Sequence, residues 1–350
     1  MAVGTSSSTQ SEPATPAGAQ QNVEKDEWDI VETYKSLLAS DPEMTMPVAA
    51  LESLIELLRE TPSSTAMETV KIVKDQKAKL LAASPNPLPI LAGADLFEQF
   101  LLRSLRGPAA DAAPGQVMSF EDTRAHLLQN KQLFATRARD ARDSIAAVGS
   151  KYVLHDKVVL TAGGSRVVTS ILLRAAADRT RHFKVYYVRD GSPRTDASIA
   201  ALREAGLAVG TINQGKIAHV MSNLSRINLV LVGTEVVLQN GGIISRMGTS
   251  QLAFLTKHLP GSRKRFYVAA ETHKIVRVTP LSGPIVNRVG VRQEDVSKWE
   301  NIDRTPDNVK ELLAEQDEVD YTDPELIDGI ITEQGTKMTS QIWEMVEDYI

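Results

Sequence analysis

Two glutamates, Glu235 and Glu271, each stand just past an apolar run that reads as a buried strand, at 229–232 and 266–270. Carboxylates placed there can shuttle protons or accept hydrogen bonds from the hydroxyls of a sugar. Cations and small residues crowd the same stretches. Arg166 follows Gly163, Gly164 and Ser165; Thr234 precedes Glu235; Arg246 lies between Asn240-Gly241-Gly242 and Gly248-Thr249; Lys274 follows Glu271. Glycine lets backbone approach a ligand closely, arginine matches phosphate geometry, and turn amides add further donors. Together these residues suggest a site for a small phosphorylated polyol or a nucleoside monophosphate, with no cofactor required. Each glycine could equally serve a tight turn.

Several other chemistries are absent. The chain has no cysteine, so thiol nucleophiles, disulfides and thiolate metal sites are excluded. The turn Ala162-Gly163-Gly164-Ser165 lies where a dinucleotide fold places its phosphate loop, but it is not GxGxxG. An acidic residue about twenty positions further on is also lacking, and Asp190 lies too far along. Neither a P-loop nor an HExxH spacing occurs, and the histidines, His273 among them, are scattered. A net charge of −5 gives no overall pull toward DNA or an anionic membrane. No apolar run approaches the ~20 residues needed to cross a bilayer. No basic stretch followed by an apolar one opens the chain, so the expectation is a soluble, cytosolic protein.

The elements that must position these residues follow from periodicity. Residues 1–25 are Ser, Thr, Ala, Gln, Pro and Gly with little bulk, and they read as a disordered tail. Over 26–149 the apolar spacing is helical. Helices are expected from Trp28 to Asp41, after Pro47, from Met67 to Leu81, after Pro89, and from a Ser119 cap to Val148, with a loop at Gly107–Gln116. Met67, Val70, Val73, Leu80 and Leu81 form the stripe of the third helix. Lys71, Lys74, Lys77 and Lys79 read as its solvated face, as do Arg137, Arg139 and Arg142 on the last. From 150 the pattern becomes short β-branched runs alternating with helices, which implies βαβ units and a parallel sheet covered on both faces. The Asp320–Pro324 stretch reads as a helix start, and a final helix runs through Trp343, which with Tyr349 could supply a dimer contact. The fold class expected is α/β: an N-terminal all-helical domain, 26–149, followed by a Rossmann-like doubly wound parallel-sheet domain, 150–350.

Four blocks taken in order, VLTAGGSRVV, VGTEVVLQNGGIISRMGTSQLA, YVAAETHKIVRVTPL and VDYTDPELI, carry a resemblance. The chain is identified as a member of the family of initiation factor 2B alpha, beta and delta subunits and methylthioribose-1-phosphate isomerases. The resemblance covers residues from about 26 to 350 and lies on the alpha-subunit side. It implies a regulatory subunit of the guanine nucleotide exchange factor for initiation factor 2, forming a homodimer. Implied partners are the beta and delta regulatory subunits, the gamma-epsilon catalytic subunits, and initiation factor 2 itself, above all its phosphorylated alpha subunit. The isomerases of the family carry a cysteine after the first strand, an aspartate followed by arginine at the second tip, and an asparagine-lysine pair before Gly-Thr. Here those places hold Ala162-Gly163-Gly164, Glu235-Val236 and Ser245-Arg246. The expectation is therefore a retained ligand site without turnover; the alternative is an active sugar-phosphate aldose–ketose isomerase.

Overall fold

The computed structural model describes residue 1 and residues 28–41, 43–61, 65–106, 131–223, 226–260, 264–279, 289–291 and 319–347. The expected tail, the 107–116 loop, the Ser119 cap and Tyr349 lie outside the described residues, Met1 aside. Five helices come first: α1 Ile30–Ser40, α2 Met46–Glu60, α3 Ala66–Ala82, α4 Leu88–Arg106 and α5 Lys131–Gly149. Their starts follow the sequence. The Asp29 side chain accepts from the Val31 amide, Pro47 sits in the first turn of α2, and Thr65 Oγ1 accepts from the Glu68 amide. Ile30, Leu51, Leu54, Ile55, Leu80 and Phe97 bury completely between α1 and α4.

Two of the face assignments change. Met67 is exposed rather than part of the stripe, whereas Lys77 reaches Asp95 at 2.7 Å and Glu98 at 3.2 Å on α4, and Lys79 pairs with Asp29. On α5, Arg139 pairs with Asp41, and Arg142 is buried against the Glu43 carboxylate. These cations tie helices together, because neighbouring elements bring acids to them that local periodicity cannot reveal.

The α/β part follows with strands β1 Val158–Thr161, β2 Lys184–Arg189, β3 Ala208–Asn213, β4 Ile227–Gly233, β5 Val236–Leu238, β6 Ile243–Arg246, β7 Arg265–Ala269, β8 Ile275–Val276, β9 Val319–Thr322, β10 Gly329–Thr332 and β11 Gly335–Lys337. Its helices are α6 Arg166–Ala176, α7 Pro193–Glu204, α8 Ile217–Asn223, α9 Thr249–His258 and α10 Ile342–Glu347. The main sheet runs β11-β10-β7-β4-β1-β2-β3, parallel except for β11. Alternate residues of each strand enter opposite cores. Leu160, Val230, Val232 and Phe266 face one, and Val159, Leu229 and Leu231 the other, which explains why these strands read as continuous apolar runs.

β1 leads through α6 to β2 on one side, while β4 lies on its other side and builds outward to β7 and β10. The strand order thus reverses between β1 and β4. In open sheets of this kind the crevice outside the strand ends at that point receives the ligand.

A second sheet was not expected. β8-β5-β6-β9 forms a small four-stranded layer whose apolar face, Val236, Leu238, Ile244 and Val319, packs on Leu88 and Ala92 of α4. Its β5–β6 pair is a hairpin closed by Asn240 and Gly241, where Gly241 has φ +82°. The Asp320–Pro324 stretch is correspondingly not a helix start. Residues 319–322 pair as β9 with β6, and Pro324 opens only a single 3-10 turn, Pro324–Leu326.

Candidate functional site

A cavity of about 540 Å³ opens at the carboxyl ends of β1 and β4. The α/β part lines it with the loop from Ala162 to Val167, the β4 tip from Gly233 to Glu235, and Arg194, Arg246, Thr249, Glu271 and Lys274. The helical part closes it with Leu38, the Met44–Pro47 segment that leads into the first turn of α2, and the Ser84–Asn86 segment before α4.

Close packing and hydrogen bonds position both strand tips. Gly164 has φ +60°, and a β-carbon there would come within 2.9 Å of Arg194 and the Thr195 amide, so the loop after β1 lies directly on the start of α7. Ser165 caps α6 by accepting from the Val168 amide. A side chain at Gly233 would run into Ser165, which brings the β1 and β4 tips into contact. Thr234 turns inward: its hydroxyl lies 2.7 Å from Val236 O and 2.8 Å from Ile244 O, tying the tip to the small sheet.

The charges fall into pairs with a remainder. Glu271 is 1 % exposed and lies 2.9 Å from Lys274, whose ammonium also donates to Thr234 O at 3.1 Å. Burial pushes this carboxyl up most strongly, but Lys274, His273 and hydrogen bonding together bring it down to about 2. Glu235 lies 3.9 Å from the Arg246 guanidinium. Arg166 donates to Met44 O at 3.2 Å; burial first, then the guanidiniums of Arg142 and Arg194, depresses its pKa. Arg194 has no hydrogen bond or ion pair among the described residues.

Gly163, Gly164, Ser165, Arg166, Thr234, Glu235, Arg246, Thr249, Glu271 and Lys274 all reach the cavity wall. Asn240, Gly241 and Gly242 do not. Asn240 bonds the Tyr321 hydroxyl at 3.0 Å and its carboxamide oxygen accepts from the Gly242 amide, while Gly241 abuts Thr339, so the stretch serves the hairpin turn. Gly248 also stays outside. Its amide and that of Ser250 donate to Asp320 Oδ2, at 2.8 and 3.0 Å, so the start of α9 already has its anion. Burial raises Asp320 to about 6, against the pull of those amides.

Residue reading missed Arg194, Thr45 and Asn86, which reach the wall only through packing. It also missed Tyr34, whose buried hydroxyl has no partner among the described residues and feels the charge of Glu235. His273, on the wall of a neighbouring cavity of about 260 Å³, approaches Thr45 Oγ1 at 3.4 Å and is held neutral by burial, with its pKa down at about 4.

His273 and Asp320 have opposite linkage. A histidine whose folded pKa is depressed contributes stability above about 6.5 that is lost as pH falls toward 4. A carboxyl raised to about 6 contributes stability at low pH that is lost as pH rises through 6. The two slopes oppose each other between pH 4.5 and 6. Urea unfolding of His273→Gln should therefore show stability falling as pH rises across that window, diverging from the wild type by on the order of 2 kcal/mol.

Fold and cavity together define a doubly wound α/β protein with a helical closure and a charged, polar crevice of small-ligand size. The chain belongs to the initiation factor 2 subunit family, whose model matches residues 39–339. It is 27% identical over 329 residues to the Caenorhabditis elegans translation initiation factor eIF2B subunit alpha, covering 92% of this chain and 98% of the relative. The Dictyostelium discoideum eIF2B subunit alpha is 25% identical over 321 residues, covering 89% and 94%. A ribose 1,5-bisphosphate isomerase of Methanocaldococcus jannaschii is 25% identical over 231 residues, covering 65% of this chain and 70% of the isomerase. The fold matches a chain of the tetrameric eIF2B-beta2-delta2 complex from C. thermophilum with a TM-score of 0.66 at 19% identity, covering 96% and 100%. Among the described residues no helix is long and apolar enough to cross a membrane.

Proposed function

We propose that this chain is a non-catalytic regulatory subunit of the guanine nucleotide exchange factor for translation initiation factor 2. It senses the phosphorylated alpha subunit of that factor in the cytosol and retains a pocket for a sugar phosphate or nucleoside monophosphate. The observation that carries this reading is a crevice with its cations and carboxylates in place but with Ala162-Gly163-Gly164 at the loop after β1, in a chain without cysteine. Proton shuttling between adjacent carbons requires an acid and a base in fixed apposition, whereas binding requires only donors and cations. The eIF2B alpha relatives support the assignment to an exchange-factor complex, with a homodimer of this chain joining beta and delta subunits.

The purified chain is expected to leave ribose phosphates unisomerised while sugar monophosphates or nucleoside monophosphates raise its melting temperature. It should co-purify with beta and delta subunits on coexpression, and the assembled complex should retain phosphorylated initiation factor 2 more strongly than the unphosphorylated form. The isomerase relatives favour a second reading, an active aldose–ketose isomerase. Turnover of a ribose phosphate that Glu235→Gln abolishes would establish that reading in place of the first.

A further inference from the structure

Three alanines, Ala92 on α4 and Ala138 and Ala141 on α5, stand where these helices approach α2 and the 3-10 turn Thr272–Lys274. Side chains that small leave a space of the kind that interiors ordinarily close by packing. Here it is a second cavity, of about 260 Å³, whose apolar wall Val48, Leu51 and Leu96 complete. An apolar cavity of about 150 Å³ already takes benzene, so this one has room for an aromatic ring and a short chain. It is smaller than the ~300–1,000 Å³ of sites for drug-sized ligands.

Most charged groups on this wall are already engaged. Asp95 is held by Lys77 at 2.7 Å; Lys77 also reaches Glu98, which does not line the cavity. Glu333 accepts from the Thr272 amide and hydroxyl, and Arg277 donates to Val346 O at 3.3 Å. Burial keeps His273 neutral. Arg137 differs. It is exposed, so it stands at the mouth, and it has no hydrogen bond or ion pair among the described residues. Two guanidiniums without a carboxylate partner, against one carboxylate without a cation, leave the described wall one positive charge in surplus.

The two cavities share a turn. Thr272 and His273 face the smaller one, while Glu271 and Lys274 beside them line the crevice. The Lys274 amide donates to Glu271 O at 3.0 Å, which closes these residues into one unit. An occupant on one side therefore presses on groups that face the other.

We propose that the smaller cavity is a second ligand site, distinct from the crevice, for a small apolar monocarboxylate. Its body lies among the alanines, its carboxylate meets Arg137, and its presence is transmitted to the crevice through the Glu271–Lys274 turn.

Calorimetric titration of the full chain with 3-phenylpropionate and with its uncharged amide tests the site. The acid is expected to bind about three- to fivefold more tightly than the amide, the scale of an exposed ion pair. Arg137→Gln should remove that difference and leave amide binding unchanged, which a loss of folding would not do. Ala141→Leu, which fills the cavity, should abolish binding of both probes while the chain keeps its melting temperature. With 3-phenylpropionate bound and no other ligand present, hydrogen exchange should slow at the Thr272 and Lys274 amides. Failure of both probes to bind, equal affinity for acid and amide, or an Arg137→Gln chain that still prefers the acid would overturn the site. So would binding that survives Ala141→Leu. Unchanged exchange at the turn despite binding would overturn its link to the crevice.

Discussion

Replacing Lys274 with methionine is expected to destabilise the folded chain by about 3–5 kcal/mol, the loss typical when one partner of a buried ion pair is removed. Glu271 is almost completely enclosed, and Lys274 is the largest of the influences that bring its carboxyl down to about 2 against burial. Without that ammonium, desolvation dominates and the acid must stay protonated or be strained. The pH dependence should change sign. In the wild type Glu271 contributes stability above about 4.5 that is lost as pH falls toward 2. In the variant its folded pKa lies above the unfolded one, so stability should decline as pH rises through that region. Adding Glu271→Gln should recover much of the loss, since two neutral groups carry no uncompensated charge. Guanidinium unfolding of the wild type and the two variants decides the matter. A single variant within about 1 kcal/mol of wild type would show that the pair is not the electrostatic anchor of the cavity. Lys274 also donates to Thr234 O, so the single variant should loosen the β4 tip and weaken any phosphate ester that binds there.

The second large effect runs against intrinsic propensity. Gly93 lies inside α4, where alanine is ordinarily favoured over glycine by about 1 kcal/mol. At this position a β-carbon would fall within 3.0 Å of three backbone atoms of Pro47, at the start of α2. Backbone cannot rotate aside as a side chain can, so overpacking of about 3 kcal/mol should exceed the helical gain. Thermal unfolding should show Gly93→Ala lowered by several degrees. An equal or raised midpoint would mean that the two helices can separate freely. Pro47 lines both the main cavity and the smaller one beside it, so the same variant should weaken ligand binding.

The doubly wound sheet and the crevice at its switch point were legible because β1 and β4 are apolar runs that end in Gly and polar residues and alternate with helical segments. Periodicity and the rule that ligands bind outside the carboxyl ends of strands suffice for such segments. The small sheet was not, because Val236–Leu238 and Ile243–Arg246 are short and lie within one stretch read as a loop, and β9, which pairs with the second of them, lies some seventy positions away. Asn240-Gly241 between them is a hairpin signal, but the same residue types also suit a ligand loop, so composition alone does not separate the two. The tips of β1, β4 and β7 could be named from sequence, since strand ends are local features. Arg194, Thr45 and Asn86 could not, since only packing of α7 and the helical segments carries them to the same space. Proline 324 likewise marks a helical first turn in either reading; pairing of β9 with β6 decides how short that turn stays.

The lateness of β9 and β10 in the chain has a consequence for synthesis. A ribosome that has made residues 1 to 318 has made neither the strand that covers the open side of β6 nor the one that pairs with β7. The carboxylate that caps α9 is also still missing. Until those residues emerge, two strand edges stand open and offer template for pairing with another chain. A nascent chain of this kind therefore depends on being shielded through the last stage of its translation, and premature termination near residue 318 should yield an aggregating product rather than a partly active one.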